Sequence, residues 1–420
     1  MSPNEILRQL FDTAVAAAQP DRRIPAFLPA PPKGKTVVVG AGKSAAAMAR
    51  VVEQAWPKPL SGVVVTRYGH GATTQVVEVL EAAHPVPDAK GMAAAERILA
   101  TVAPLGAEDL VICLISGGGS ALLTLPPEGI GLDVLAELNR QLLRSGADIG
   151  EMNAVRKTLS RSSGGRLAAA AYPAQVVSLL ISDVPGDDLR AIASGPTVGD
   201  TATAQDALRI LQKYNLPVPA AVMNYLQKNS NPVLQPGDKR LSTTTNHLIA
   251  APQQSLVAVA KRSQELGYTP LILGSAIEGE ARQVGIVHAG IAQQATQYGQ
   301  PIAPPCIILS GGETTVTVTG KAGKGGRNSE FLLSLAVALK GQKKVWAIAC
   351  DTDGIDGSED NAGAIIGPEI LQQGRDRGLN ASDFLAAHDS YSFFQQLDAL
   401  VETGPTLTNV NDFRAILIDA

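Results

Sequence analysis

A two-domain α/β protein built on parallel sheet is the expectation for this chain, and three observations lead to it. From Thr36 onward, short β-branched runs alternate with longer Ala-rich stretches, the pattern of parallel strands joined by crossover helices. The 420 residues exceed a single core of roughly 100–200 residues, so two domains with a cleft between them follow. Finally, the segment 227–240, QKNSNPVLQPGDKR, is polar, carries two prolines and a Pro-Gly turn signal, and lacks periodicity, as a linker does. The domains are therefore expected over 1–236 and 237–420.

In the first half the predicted strands are Val37–Val39, Val63–Thr66, Leu110–Ile115 and Val176–Ser182. Each is followed by small, polar or charged residues, and in open α/β sheets ligands sit at the carboxyl ends of the strands. Beyond the linker a helix is expected at Gln253–Leu266, with strands at Leu271–Leu273, Cys306–Leu309, Thr314–Thr319 and Val345–Ala349. This second domain also reads as α/β, with some antiparallel strands. The N-terminal residues MSPNEILRQLFDTAVAAAQP show helical spacing through Ile6, Leu10 and Val15 and lack the layout of a secretory signal.

Composition narrows the function. A formal net charge of −4 and no basic run argue against a nucleic-acid partner. No apolar stretch reaches the ~20 residues that span a bilayer, which argues against a membrane role. Cys113, Cys306 and Cys350 lie in or end apolar strand-like runs without metal-ligand spacing, and so read as packing residues in a reducing, cytoplasmic compartment.

Six segments could carry chemistry. In VVVGAGKSAAAMA, Gly40 and Gly42 follow a strand and open a helix whose amides could cradle an anion, with Lys43 at the mouth. The next strand ends at Thr66-Arg67, where an NAD enzyme wants an acidic residue; Arg67 leaves NADP open. Val37 stands where a Walker A loop needs Gly. In LISGGGSALL, Ser116, Gly117, Gly118, Gly119 and Ser120 let backbone N–H groups approach an oxyanion. In EMNAVRKTLSRSSGGRLA, Asn153, Arg156, Lys157 and Arg166 suit a carboxylate or phosphate. LLISDVPGDDLRAIASGPTVGD delivers Asp183, Asp187 and Asp188 as Mg²⁺ ligands or a base. LSGGETTVTVTGKAGKGGRNSEF offers Gly311, Gly312 and Glu313, then a cationic loop with Lys321, Lys324 and Arg327 that could clamp phosphates. ACDTDGIDGSEDNAGA carries Asp351, Asp353 and Asp356; its fifth position, Ile355, breaks the spacing of a calcium loop, while Mg²⁺ or substrate contacts stay open. For each segment the alternative is a plain turn, a solvated helix face or a flexible loop. Among the five histidines only His84, in EAAHPVPDAKG, suggests a pocket position. Ser116 and Ser120 lack the G-x-S-x-G setting of a hydrolase nucleophile.

Together these segments, with HPVPD, GGRLA, TDGIDG and TGPTLTNVND, resemble in order the class II glycerate kinases, a family also called hydroxypyruvate reductase of the tartrate-degradation type, which ends in a MOFRL domain. The resemblance covers nearly the whole chain. It implies a Rossmann-like N-terminal domain, a smaller C-terminal α/β domain with the MOFRL segment at about 305–415, and an active site in the interdomain cleft. It further implies ATP- and Mg²⁺-dependent phosphorylation of D-glycerate to 2-phosphoglycerate. By position Lys43, Asp187, Glu313 and Arg327 resemble the catalytic residues, with Asp187 preferred to Asp183. Gly42, Ser116, Gly117, Gly118, Gly119, Ser120, Gly311, Gly312, Lys324, Asp183, Asp353 and Asp356 would contact the nucleotide side. His84, Asn153 and Arg156 would contact substrate, and Asp353 and Glu313 would hold Mg²⁺. Ser163 departs from the pattern, which has a lysine before the Gly-Gly of GGRLA.

Two rivals are an NAD(P)H-dependent hydroxypyruvate reductase and a non-catalytic binder of phosphorylated metabolites. The first lacks a ribose-binding acid and a hydride-transfer His with an acidic partner; the second has no need of so many strand-end carboxylates. A homodimer is the default assembly.

Overall fold

The structure is a computed structural model that describes residues 1–147, 149–229, 233–318, 320 and 323–420. It divides into two compact units, one comprising 20–182 and 187–249, the other 1–19, 183–186 and 250–420.

The first unit is built on a six-stranded sheet: β1 (Thr36–Ala41), β2 (Ser61–Arg67), β3 (Val77–Ala82), β4 (Leu110–Ile115), β5 (Gln175–Ile181) and β6 (Thr244–Ala250), in the order β3-β2-β1-β4-β5-β6. β1 runs parallel to both β2 and β4, β2 to β3, and β4 to β5. This is the doubly wound order, whose direction of winding reverses between β1 and β4. Both strands are buried along their whole length, as their unbroken apolar runs require for a sheet covered on two faces. Burial pushes the Cys113 thiol up to about 12, so it packs and does not react. Sequence periodicity passes over β3 and β6 because VEVLEA and TTNHLIA mix charged or polar residues into edge strands that are only partly covered.

The expected linker at 227–240 is corrected by the structure. Val233 and Leu234 are buried, Leu234 N donates to Gly164 O at 3.1 Å, and Asp200 N donates to Leu234 O at 2.8 Å. Two apolar residues between prolines find a seat over Gly164 and Gly165, and the chain then adds β6 to the sheet. Ser230–Pro232 lie outside the described residues. The division accordingly falls at 249/250 and not at 236/237.

The second unit carries the strands β7 (Thr269–Glu280), β8 (Cys306–Thr315), β9 (Val345–Asp351), β10 (Gly363–Ile366), β11 (Leu400–Val401) and β12 (Asp412–Ile418), in the order β11-β10-β9-β12-β8-β7. β7 and β8 are parallel, whereas β12 runs antiparallel to both β8 and β9. The N-terminal helix Pro3–Ala17 belongs here and not to the expected 1–236 domain. Ser2 and Glu5 form its capping box. Its buried face of Leu7, Leu10 and Phe11 joins a core with Val259, Phe413 and Leu417.

The strands expected at Cys306–Leu309 and Thr314–Thr319 are one strand ending at Thr315; Thr319 lies outside the described residues. Gly311 and Gly312 therefore sit inside β8, paired with β12 on one side and facing β7 on the other. Gly312 has φ +131°, and a Cβ there would lie 2.2 Å from the Ile277 carbonyl oxygen, where β7 bulges. The two glycines admit a neighbouring backbone, so their expected role as an open anion turn is not met.

On the helix Ala281–Tyr298, His288 is buried, with Nδ1 2.8 Å from Val284 O and Nε2 3.0 Å from Ser310 Oγ. A carbonyl only accepts, so Nδ1 carries the proton and Nε2 accepts from Ser310. Burial holds the imidazole down at about 4. The unfolded chain takes up this proton near 6.5, so stability falls as pH drops from about 6.5 towards 4. His288→Gln should flatten that part of a urea-denaturation pH profile.

Candidate functional site

The first group of predicted residues assembles at the carboxyl ends of β1 and β4, where the sheet order reverses. Gly42 has φ +134°, and any Cβ there would meet Ser116 Oγ at 2.2 Å. Lys43 N donates to Gly117 O at 2.8 Å, Ser44 N to Ser116 Oγ at 3.0 Å, and Thr66 Oγ1 to Lys43 O at 3.3 Å. Ser116 is fully buried and its hydroxyl accepts from the neighbouring turn. It ties the two turns together.

Gly118, at φ +81°, is the crossing point: a Cβ there would lie 3.0 Å from His84 Nε2 and 3.5 Å from Lys43 Cγ. Three segments far apart in sequence thus converge on one glycine. Gly119 packs against Ala193, and Ser120 Oγ lies 2.8 Å from Ser194 Oγ.

The aspartate-rich segment separates into different fates. Asp188 is exposed and pairs with Arg190 at 2.8 Å. Asp183 belongs to the second unit, where Asn409 Nδ2 donates to its carboxylate at 3.3 Å. Asp187 Oδ1 is buried and finds no hydrogen-bond partner among the described residues. Asp187, Ala193 and Ser194 all have positive φ, at 57°, 48° and 61°. Such backbone strain in non-glycine residues is held only where surrounding structure imposes it, and it collects at functional sites.

Beside this junction lies a cavity of about 430 Å³, mainly apolar, lined in part by His84, Gly118, Ser120, Arg156, Ser163 and Ser194. Ser163 faces it. Arg156 Nε donates to Asn139 Oδ1 at 3.0 Å. Asn153, on the same helix, does not line the cavity. Lys157 is buried against Asp200 at 2.6 Å, and Arg166 donates to the carbonyls of Lys157 and Ser163, so both hold the fold together.

The second group centres on Arg327, the first residue of the helix Arg327–Leu339. Its Nε donates to Asp412 at 2.6 Å, Nη2 to Asp351 at 2.8 Å and Nη1 to Glu313 at 3.1 Å. Burial works against its charge, yet Asp412, Asp351 and Glu313 hold the guanidinium well above its usual value. Arg414, fully buried, reaches the other oxygen of Asp412 and lies over the Phe331 ring at 5.0 Å. Asp353 adjoins the cluster, its N–H donating to Asp351 Oδ1 at 3.1 Å.

Asp356 is fully buried and accepts from the N–H groups of Asn328 and Ser329 at 2.9 and 2.8 Å. It caps the helix. The Lys324 ammonium is 3.3 Å from Glu359 and 5.5 Å from the Tyr391 ring centre. Lys321 lies outside the described residues. Among the described residues no three His, Cys, Asp or Glu side chains are gathered as a metal cluster. Mg²⁺ asks for less, commonly one or two carboxylates with phosphate oxygens completing its shell. In the Arg327 cluster both oxygens of Asp412 and of Asp351 accept from protein donors, so Glu313 and Asp353 are the carboxylates such an ion would draw on.

Asp412, Arg414 and Asn139 are not singled out by the sequence motifs. The first two had a signal: NDFRAILID places Asp and Arg two apart inside an otherwise apolar strand, and such charges must find partners when buried.

A doubly wound sheet with a lysine-bearing glycine turn at its switch point defines the class, an α/β enzyme for small anionic ligands. The MOFRL family model matches residues 306–412, and a model described as a domain of unknown function, DUF4147, matches 6–227. A protein of Agrobacterium vitis that carries a hydroxypyruvate reductase name is 53% identical, covering 100% of this chain and 95% of its own length. The glycerate 2-kinase of Pyrococcus horikoshii is 41% identical over 90% of this chain and 86% of its own. The crystal structure of glycerate kinase from Thermotoga maritima superposes with a TM-score of 0.88 at 36% identity, covering 99% of both chains. This chain belongs to the DUF4147–MOFRL family, the family of the glycerate 2-kinases.

Proposed function

We propose that the chain transfers the γ-phosphoryl group of ATP to a hydroxyl of D-glycerate, giving 2-phosphoglycerate. The observation that carries this reading is the Lys43–Gly118–His84 junction at the strand ends, in a chain whose kinase-named relatives match it over nearly its full length. Phosphoryl transfer asks a protein for positioning and charge stabilisation more than for covalent chemistry. Lys43 supplies positive charge to the transferring oxygens. Asp187, whose Oδ1 has no hydrogen-bond partner among the described residues, orients the acceptor hydroxyl and takes its proton. Glu313 and Asp353 would hold Mg²⁺, which when bound neutralises phosphate charge. Arg327 keeps the Asp351 and Asp412 carboxylates in place around that position. Asp187→Asn keeps the shape and removes the base; kcat should fall about 10²–10⁴-fold with KM for ATP little changed.

The reductase name of the Agrobacterium relative is tested in the same experiment. D-glycerate with Mg·ATP in one cuvette should yield ADP only when glycerate is present, and phosphorus NMR should place the phosphate on carbon 2. NADH or NADPH oxidation by hydroxypyruvate without ADP formation would discard the kinase reading.

Three buried free thiols fit a reducing, cytoplasmic setting. Among the described residues no helix is long and apolar enough to cross a membrane. The assembly we infer is a homodimer, to be checked by light scattering.

A further inference from the structure

We propose that the cavity beside Gly118 holds the nucleoside of ATP, which assigns nucleotide recognition to the unit built on the doubly wound sheet. The inference rests on the kinase reading and deepens it. The cavity, about 430 Å³, falls in the size class of pockets that enclose a whole organic ligand, about 300–1,000 Å³. Leu125, Leu138, Val155 and Leu159 supply apolar wall. Glycerate is small and polar at every carbon and would leave most of this apolar wall uncovered. A purine is flat, with two apolar faces and a hydrogen-bonding edge.

Polarity is arranged to match. His84 and Gly118 lie at the end nearest Lys43, so phosphates leaving the cavity there meet the lysine. Arg156, half-buried, also lines the cavity, with Nε committed to Asn139 and no carboxylate of the described residues within ion-pair distance. Burial lowers its guanidinium from the usual value. Its remaining N–H groups and planar face can bond the base edge or stack on the ring.

Ala136 lines the cavity from the helix Leu132–Ser145. Filling the space with Ala136→Trp should weaken ADP binding, measured by calorimetry with Mg²⁺, by about tenfold or more while leaving inorganic tripolyphosphate binding within about twofold. Retained tripolyphosphate binding also reports a folded variant. Arg156→Met, which adds no bulk, should shift ADP and spare tripolyphosphate in the same sense, and it carries the test if Ala136→Trp does not fold. Unchanged ADP affinity in the folded variants overturns the assignment. A selective rise in KM for glycerate overturns it too, by placing the acceptor in the cavity. Wild-type protein that binds no ADP and makes none would remove the kinase reading itself, whereas a working wild type with indifferent variants removes only the cavity's role.

Discussion

Lys43→Ala should lower kcat by about 10²–10³-fold, the size of effect found when one preorganised charge or donor to a developing anion is lost. The fold should survive, because the interactions that shape this turn are made by the backbone. Lys43 N donates to Gly117 O, and its carbonyl accepts from Thr66 Oγ1; alanine keeps both. Lys43→Arg is the sharper control. It retains charge, but a planar guanidinium beside Gly118 and His84 presents its donors in a different geometry, so activity should return only in part. A coupled ADP assay with thermal melts on the same samples decides the matter. Near-normal turnover in a folded Lys43→Ala protein would remove the lysine from the reaction.

The largest effect on stability is expected from Asp412→Asn. Asp412 is almost wholly buried and accepts from Arg327, Asn328, Arg414 and the Thr314 N–H. Breaking a buried ion pair from one side typically costs about 3–5 kcal/mol, because the partner is left charged and unpaired. Here the stranded group is Arg414, 1% exposed and already without partners at Nε and Nη1 among the described residues. Urea denaturation should show that loss in the midpoint. The pH dependence follows from the same contacts. Burial alone would raise the Asp412 carboxyl, but Arg327 and Arg414 outweigh it and hold the value below the usual range. A carboxylate depressed in the folded state stabilises fully above its unfolded pKa, about 3.9, and the contribution is lost as pH falls through the lower folded value. Asp412→Asn should remove this acid limb while leaving the limb between about 6.5 and 4 that His288 produces.

Much of this arrangement was legible in the chain. The apolar runs at Thr36–Ala41 and Leu110–Ile115 announce buried parallel strands, and glycines immediately beyond each announce close backbone approach at their ends. Lys43, Gly118 and His84 could each be singled out from type and spacing, and the structure brings them to one point. The errors share one cause, that identical local sequence serves different surroundings. Ser116-Gly117-Gly118 leaves a strand and opens a turn, whereas Ser310-Gly311-Gly312 continues a strand because β7 and β12 lie alongside it. Asp187 and Asp356 both follow apolar strands in aspartate-rich segments, yet one has an oxygen without a partner among the described residues and the other caps a helix. The polar segment at 227–240 reads as a linker until Val233 and Leu234 meet the glycines they cover.

What the sequence determined by itself is whatever depends on near neighbours along the chain: the period of each element, the glycines that permit its turns, and the ordered motifs that mark the family. Tertiary structure alone decided which unit the N-terminal helix joins, which carboxylates Arg327 collects, and where a cavity opens. Those outcomes rest on contacts such as Phe11 with Phe413 and Arg327 with Asp412. Burial and charge pairing are properties of the assembled neighbourhood, set by residues far away in sequence.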